Sequence, residues 1–72
     1  MRLFRVMFNV KDGTDTTRFS VHEWKDGKWE PSDFSEDEPI SLEQVYSALN
    51  LFGARVAAEF ERGEIRTQIY VT

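Results

Sequence analysis

Apolar and polar residues alternate along the N-terminal third of the chain, a period of two that predicts β-strands with one face in the core. The first strand has its apolar positions at Phe4, Val6, Phe8 and Val10. Turn-forming residues follow at 11–15, and alternation resumes from Thr16 to Trp24, so these two strands are expected to form a hairpin. Asp26-Gly27 then favours a two-residue type I′ turn into a third, short strand.

After residue 40 a spacing of three to four residues replaces the alternation and predicts one long helix. Ser41 and Gln44 have the pattern of a capping box at its start, and Gly63 marks its expected end, roughly 20 residues later. The stripe predicted to face the core consists of Leu42, Val45, Tyr46, Leu49, Phe52, Val56 and Phe60. Gly53 falls on that stripe, which predicts a close approach of helix to sheet or a slight bend.

The C-terminus alternates again at Ile65, Thr67, Ile69 and Val71 and predicts a last strand. A right-handed crossover through the helix would place that strand parallel to the first and beside it. The predicted fold is therefore a single α+β domain over residues 1–72, with the element order β-β-β-α-β. Its four-stranded mixed sheet, mostly antiparallel, has the order 3-2-1-4, and the helix packs on one face.

Composition limits the function classes that this domain can serve. The chain has 72 residues, 40% of them hydrophobic, and no cysteine, so disulfides and thiolate metal sites are excluded. The apolar stretch from Leu3 to Val10 is too short for a membrane span, and the expected location is the cytoplasm. The net charge of −4 disfavours non-specific binding to nucleic acid, which depends mainly on lysine and arginine.

The negative charge is concentrated in one segment that contains neither lysine nor arginine. Its acids are Glu30, Asp33, Glu36, Asp37, Glu38 and Glu43. Such a run is usually a solvated surface, and it lacks the ligand spacing of a calcium loop. However, the predicted loop from Pro31 to Pro39 is longer than most connections, which favours a second interpretation: an acidic partner-binding loop that imitates a nucleic-acid backbone or docks on a basic protein.

Two tryptophans form the second candidate site. The Asp26-Gly27 turn places Trp24 opposite Trp29, on the face that also holds His22 and points away from the helix. A bulge could instead turn the indoles into the core, or they could simply staple the hairpin. With Arg5 and Arg18 nearby, the other interpretation is a binding patch for a protein or a nucleobase.

Leu51 is the third candidate. It lies on a predicted outer stripe of the helix with Ser47, Ala54 and Ala58, where charges are missing. That stripe could seat a partner helix or a second copy of the chain. Alternatively, alanine is there only as a good helix former, and one exposed leucine needs no explanation.

No residue set has the pattern of a catalytic, metal or cofactor site. The single histidine, His22, precedes Glu23, and neighbours on a strand point to opposite faces. The sequence therefore predicts a small non-enzymatic protein-binding module, an inhibitor or regulator of the type encoded by phages and mobile elements. It would dock on a host protein and mask a nucleic-acid-binding surface with its acidic loop. The alternatives are a nucleic-acid-binding module that uses the Trp/Arg face and a structural or regulatory homodimer.

Overall fold

A computed structural model describes residues 1–10, 18–32 and 41–72. These residues form one helix and five strands. In chain order the elements are β1 (Leu3–Asn9), β2 (Phe19–Lys25), β3 (Lys28–Pro31), α1 (Leu42–Leu51), β4 (Arg55–Arg62) and β5 (Ile65–Val71). The strands make one sheet of order β3-β2-β1-β5-β4.

The predicted hairpins are confirmed within the described residues. β1 pairs antiparallel with β2, and β2 with β3, with Trp24 opposite Trp29. Asp26 and Gly27 have φ values of 52° and 82°, and two positive φ angles are what a type I′ turn requires. The turn predicted at 11–15 and residues 33–39 of the predicted acidic loop lie outside the described residues.

The helix begins as predicted but ends much earlier. Ser41 Oγ accepts a hydrogen bond from the Gln44 amide at 3.2 Å, and Gln44 Oε1 accepts one from the Ser41 amide at 3.1 Å, which completes the capping box. The helix ends after ten residues, because Gly53 at φ 76° leaves the helical conformation. Its amide donates to Asn50 and that of Ala54 donates to Leu49, as in a Schellman motif.

The prediction of one helix from residue 41 to Gly63 is therefore wrong, and its second half is strand β4. A turn at residues 63–64, with Gly63 at φ 62°, joins Arg62 of β4 to Ile65 of β5. A β-bulge lies between Val56 and Ala58, so Val56 and Phe60 point to opposite faces of the sheet. Gly53 is exposed at the helix end, not on a buried stripe.

The α+β class is confirmed, while the four-stranded mixed sheet of order 3-2-1-4 is wrong. The last strand, β5, does lie beside β1 as predicted, but it runs antiparallel to it. The extra strand β4 is the reason: α1 leads to the outer edge of the sheet, and the β4–β5 hairpin then brings the chain back in the opposite direction.

The core lies between α1 and one face of the sheet. It contains Phe4, Val6, Phe8, Val21, Leu42, Val45, Leu49, Ala54 and Tyr70. Phe52, Val56 and Phe60, predicted to belong to it, are 54%, 51% and 53% exposed. No described helix is long and apolar enough to cross a membrane. Because α1 covers only one side of the sheet, the other side has no second layer formed by residues 1–10, 18–32 or 41–72.

Candidate interaction face

The side of the sheet turned away from α1, here called the open face, is defined by the strand register. Arg5 is paired with His22 on one side and with Ile69 on the other, and Ile69 is paired with Ala58. Directly paired residues share a face, and alternation along each strand gives the rest. The large apolar members are Leu3, Met7, Trp24, Trp29, Phe60, Ile65, Ile69 and Val71. The opposite side is called the helix face.

Charge is segregated between the two faces. The strand carboxylates Glu23, Glu30, Glu59 and Glu61 all lie on the helix face, by their pairing with one another or with residues of β5. The open face of the described strands carries Arg5, Arg55 and Arg62 and no carboxylate. In a chain of net charge −4, the described strands thus present one face whose formal charges are all positive.

Arginines on the helix face are paired, whereas those on the open face are not. Arg2 donates from Nε and Nη2 to the two carboxylate oxygens of Glu23, at 2.7 and 2.9 Å. Arg66 donates from Nε to Glu61 at 2.8 Å. Of the open-face arginines, none forms an ion pair with any residue in the described ranges. Their charge remains available to a partner.

The tryptophans lie on the open face, as predicted, with no bulge that turns them inward. Their ring centroids are 5.2 Å apart at an interplanar angle of 74°, an edge-to-face pair. The guanidinium carbon of Arg5 lies 4.7 Å from the centroid of Trp29, within the range of a cation–π contact. Trp24 is 44% exposed, so the cluster presents an aromatic surface next to a positive charge.

Two polar atoms in this region lack hydrogen-bond partners among the described residues: Arg5 Nε and His22 Nδ1, both shielded from solvent. Burial, and then the nearby charge of Arg5, lower the pKa of His22. Both effects disfavour the imidazolium form. The fold therefore favours the neutral form of His22, beside a cation that has no ion-pair partner among the described residues.

A cleft of about 310 Å³ opens on the same face. Ile65 and Thr67 of β5 form its floor; Arg5 and Met7 of β1 form one wall, and Phe60 and Arg62 of β4 form the other. Thr67 is only 5% exposed because the longer side chains on both sides rise above it. Arg18 lines an adjoining cleft of about 360 Å³ at the end of the sheet, which shares Met7 and Ile65 with the first.

The predicted acidic site is only partly described. Glu30 lies 3.4 Å from Lys28 Nζ, and Glu43 is exposed in the first turn of α1. Asp33, Glu36, Asp37 and Glu38 lie outside the described residues. Whether this segment binds a partner stays a prediction.

The predicted outer stripe of the helix does not exist. Leu51 is the last helical residue and is 88% exposed, and Ser47 is also exposed. Ala54, however, is 8% exposed and belongs to the core, while Ala58 lies in β4 on the open face. An exposed leucine remains, without the smooth helical surface that was predicted around it.

Three residues of the open face were missed from the sequence: Arg55, Phe60 and Arg62. All three fall within the predicted helix, and Phe60 was placed on the stripe of that helix predicted to face the core. Their signal was the alternation from Ala58 to Arg62 before a glycine turn, which is typical of a hairpin strand. Read with Gly53 as the helix stop, it would have added β4 to the sheet.

Comparisons of the chain with protein-family models, with curated proteins and with solved structures found no match. Within the described ranges, no group of three or more histidine, aspartate and glutamate side chains is placed to hold a metal ion.

Proposed function

We propose that this chain is a non-enzymatic protein-binding module and that the open face is its docking surface. The partner surface that fits it is acidic with exposed apolar side chains. The observation that carries the proposal is the segregation of charge on the described strands. Arg5, Arg55 and Arg62 have no ion-pair partner among the described residues and lie among apolar side chains on the face turned away from α1, and the strand carboxylates lie on the other face.

The composition of the open face supports a protein partner. Protein–protein interfaces are enriched in tryptophan, phenylalanine, methionine and arginine and depleted of lysine and acids. The open face has Trp24, Trp29, Phe60 and Met7 beside its three arginines. None of the open-face positions of the described strands is a lysine, an aspartate or a glutamate. Uncovered apolar surface of this kind on a small domain marks an interaction site.

Face-to-face packing of two copies through this surface is disfavoured. It would gather Arg5, Arg55 and Arg62 of both copies in one interface, with no carboxylate from the described strands between them. Like charges in an interface disfavour association. The charge pattern therefore favours a different, acidic protein.

The proposal assigns no chemistry, metal or cofactor to the chain. It is supported by the position of the only histidine, which shares its face with arginines and no described carboxylate. A general base needs an orienting or activating neighbour. The proposed location is the cytoplasm, in keeping with a chain that has no cysteine.

Affinity capture with matched variants tests the docking surface. Phe60→Ser and Arg62→Glu alter the open face, while Leu51→Ser and Lys28→Glu make the same kinds of change at exposed positions elsewhere. Quantitative mass spectrometry on lysate of the source cell should identify a protein that is lost with both open-face variants and retained with both controls. That protein, purified, should bind the chain directly with the same pattern.

The opposite pattern would reject the proposed surface. If Leu51→Ser alone abolishes capture, α1 carries the contact. If reversal of Asp33, Glu36, Asp37 and Glu38 to lysine abolishes capture while the open-face variants bind normally, the acidic segment is the site. That second result would instead support the predicted inhibitor that masks a basic, nucleic-acid-binding surface.

Single-stranded nucleic acid is a second candidate partner because of the Trp24, Trp29 and Arg5 cluster. Bases stack on aromatic side chains and arginine adds a cation for the backbone. Titration with oligothymidylate at low salt should quench tryptophan fluorescence if this function holds, and added salt should reverse it. Unchanged fluorescence at low salt would remove this candidate and leave the protein partner.

A further inference from the structure

We infer that the cleft over β5 is the anchor subsite of the open face, and that it receives an apolar side chain of the partner flanked by a carboxylate. This inference rests on the proposed function and states which part of the partner binds where. The cleft has an apolar floor and is lined by two arginines, Arg5 from β1 and Arg62 from β4. The guanidinium of Arg5 lies over the Trp29 ring, on the β3 side of β1, so among the described residues Arg62 is the arginine free to supply a cation to the cleft.

The shape of the cleft follows from side-chain lengths along one row of the sheet. Thr67 is paired with Met7 on one side and with Phe60 on the other, so a short side chain lies between two long ones. Ile65 extends the floor toward Arg62, with which it is paired. A depression is thus built into the register of three neighbouring strands and does not depend on a loop.

The size of the cleft suits a side chain better than a free ligand. Its volume of about 310 Å³ is at the lower limit of small-molecule pockets, which start near roughly 300 Å³. Hot spots of protein interfaces are typically anchor side chains that fill such pockets and exclude water. The Phe60 ring, 53% exposed, would be covered by the anchor.

The charge of the cleft selects the sequence around that anchor. Arg5 and Arg62 have no carboxylate partner in the described part of the chain, and Arg5 Nε is shielded without a hydrogen bond. A carboxylate next to the apolar group would pair with the Arg62 guanidinium, and the nearby charge of Arg5 would add to the attraction. A lysine or arginine in that position would be repelled.

A set of three aromatic probes of equal shape tests this directly: phenylacetate, phenylacetamide and phenethylamine, added to the ¹⁵N-labelled chain. The amide signals of Met7, Ile65 and Thr67 should shift most, with millimolar affinity in the order anion, neutral amide, cation. Arg62→Gln should weaken phenylacetate about two- to fivefold, to the level of the amide, as expected for a partly exposed ion pair. Arg55→Gln, on the same face but outside the cleft, should leave it unchanged.

Several results would overturn the inference. They are equal affinity for the three probes, equal weakening by Arg62→Gln and Arg55→Gln, shifts centred away from β5, or no saturable shift up to about 20 mM. The proposed function fails separately. If the open-face variants still capture the partner while phenylacetate binds the cleft, the docking surface is wrong. If capture is lost with those variants but no probe enters the cleft, only the anchor subsite is wrong.

Discussion

The two faces of this sheet are built from the same strands, yet they differ in how deeply their apolar side chains are buried and in whether their arginines are paired. On the helix face, apolar side chains are buried under α1, and the arginines at its margin, Arg2 and Arg66, are each bound to a carboxylate. On the open face, the described residues form no layer over the apolar side chains and provide no ion-pair partner for Arg5, Arg55 and Arg62.

The difference indicates which face contributes most to the stability of the fold. A small domain buries little of its surface and has a narrow stability margin, so its paired charges and best packing are expected in the core. Here they lie on the helix face. Under the proposed function, the apolar surface on the other side contributes less to folding and serves for contact with a partner. Substitutions matched across the two faces test this division.

The largest difference is expected between two phenylalanines. Phe4 is fully buried on the helix face and Phe60 is 53% exposed on the open face. Phe4→Ala should lower the free energy of unfolding by about 3–5 kcal/mol, and Phe60→Ala by less than about 1 kcal/mol. Urea unfolding followed by tryptophan fluorescence measures both.

A milder pair covers the case in which Phe4→Ala does not fold. Phe4→Leu should still lower the free energy of unfolding by about 1–2 kcal/mol, and Phe60→Leu should leave it almost unchanged. Equal losses at the two positions would show that the open face contributes to the fold as much as the core does.

A smaller difference is expected between two arginines. Arg2→Met leaves Glu23, which is 4% exposed, with only Lys25 at 3.8 Å. The loss should be about 1–2 kcal/mol, at the low end for charged hydrogen bonds because the Arg2 side chain is 40% exposed. Arg5→Met removes an unpaired donor and a contact with Trp29, and should change the free energy of unfolding by less than about 0.5 kcal/mol.

The two arginine variants are compared by thermal and urea unfolding under identical conditions. A larger loss from Arg5→Met than from Arg2→Met would contradict the division between the faces. It would mean that Arg5 is held for stability, and the case for its availability to a partner would weaken.

The ion pair on the helix face should also make stability depend on pH. The hydrogen bonds from Arg2 hold the pKa of Glu23 below its ordinary value. A carboxylate whose pKa is lower in the folded chain stabilises the fold above its unfolded pKa, near 4.5, and loses that effect as the pH falls through the folded value. The advantage of the wild type over Glu23→Gln should therefore be constant above about pH 4.5 and shrink below it. An advantage unchanged at lower pH would show that the interaction does not depend on the carboxylate charge.

The smallest effect is expected at His22 on the open face. Burial is the larger cause of its lowered pKa, and the charge of Arg5 is the second. Arg5→Met should therefore raise the pKa of His22 only in part, leaving it below the ordinary value of about 6.5. An NMR titration of the imidazole signals measures this. Since the neutral form is favoured in the fold, His22 contributes a loss of stability as the pH falls below about 6.5. If Arg5→Met leaves the pKa of His22 unchanged, the charge of Arg5 does not act on His22 and the prediction is wrong.

The sequence predicted the elements whose signals are local. The Asp26-Gly27 turn, the Ser41 cap and the alternation of β1, β2 and β5 are confirmed, and so is the pairing of Trp24 with Trp29. The regular register then decides between the two orientations that the sequence left open for the indoles, away from the helix or into the core. Each of the confirmed features depends on residues a few positions apart. The part of the candidate site that they carry, the Trp24–Trp29 pair with Arg5 and His22, was therefore predictable.

The other half of the site was not predicted because the apolar residues after Leu49 fit both the spacing of a helix and, in part, the alternation of a strand. Leu49, Phe52, Val56 and Phe60 are three or four residues apart, as on a helix, but Ala58 to Arg62 also alternate as in a strand. Periodicity in such a segment does not separate the two. The bulge between Val56 and Ala58 obscured the alternation further.

By itself, the sequence determined an α+β domain, its hairpin turn, its helix start and the pairing of Trp24 with Trp29. Only the tertiary structure decided that the chain after Gly53 joins the sheet, because a strand there is stabilised by hydrogen bonds to β5 that no local pattern contains. The same distant pairing brings Phe60 and Arg62 beside Met7 and Arg5 across β5. The cleft and the cationic character of the open face exist only once those strands are neighbours.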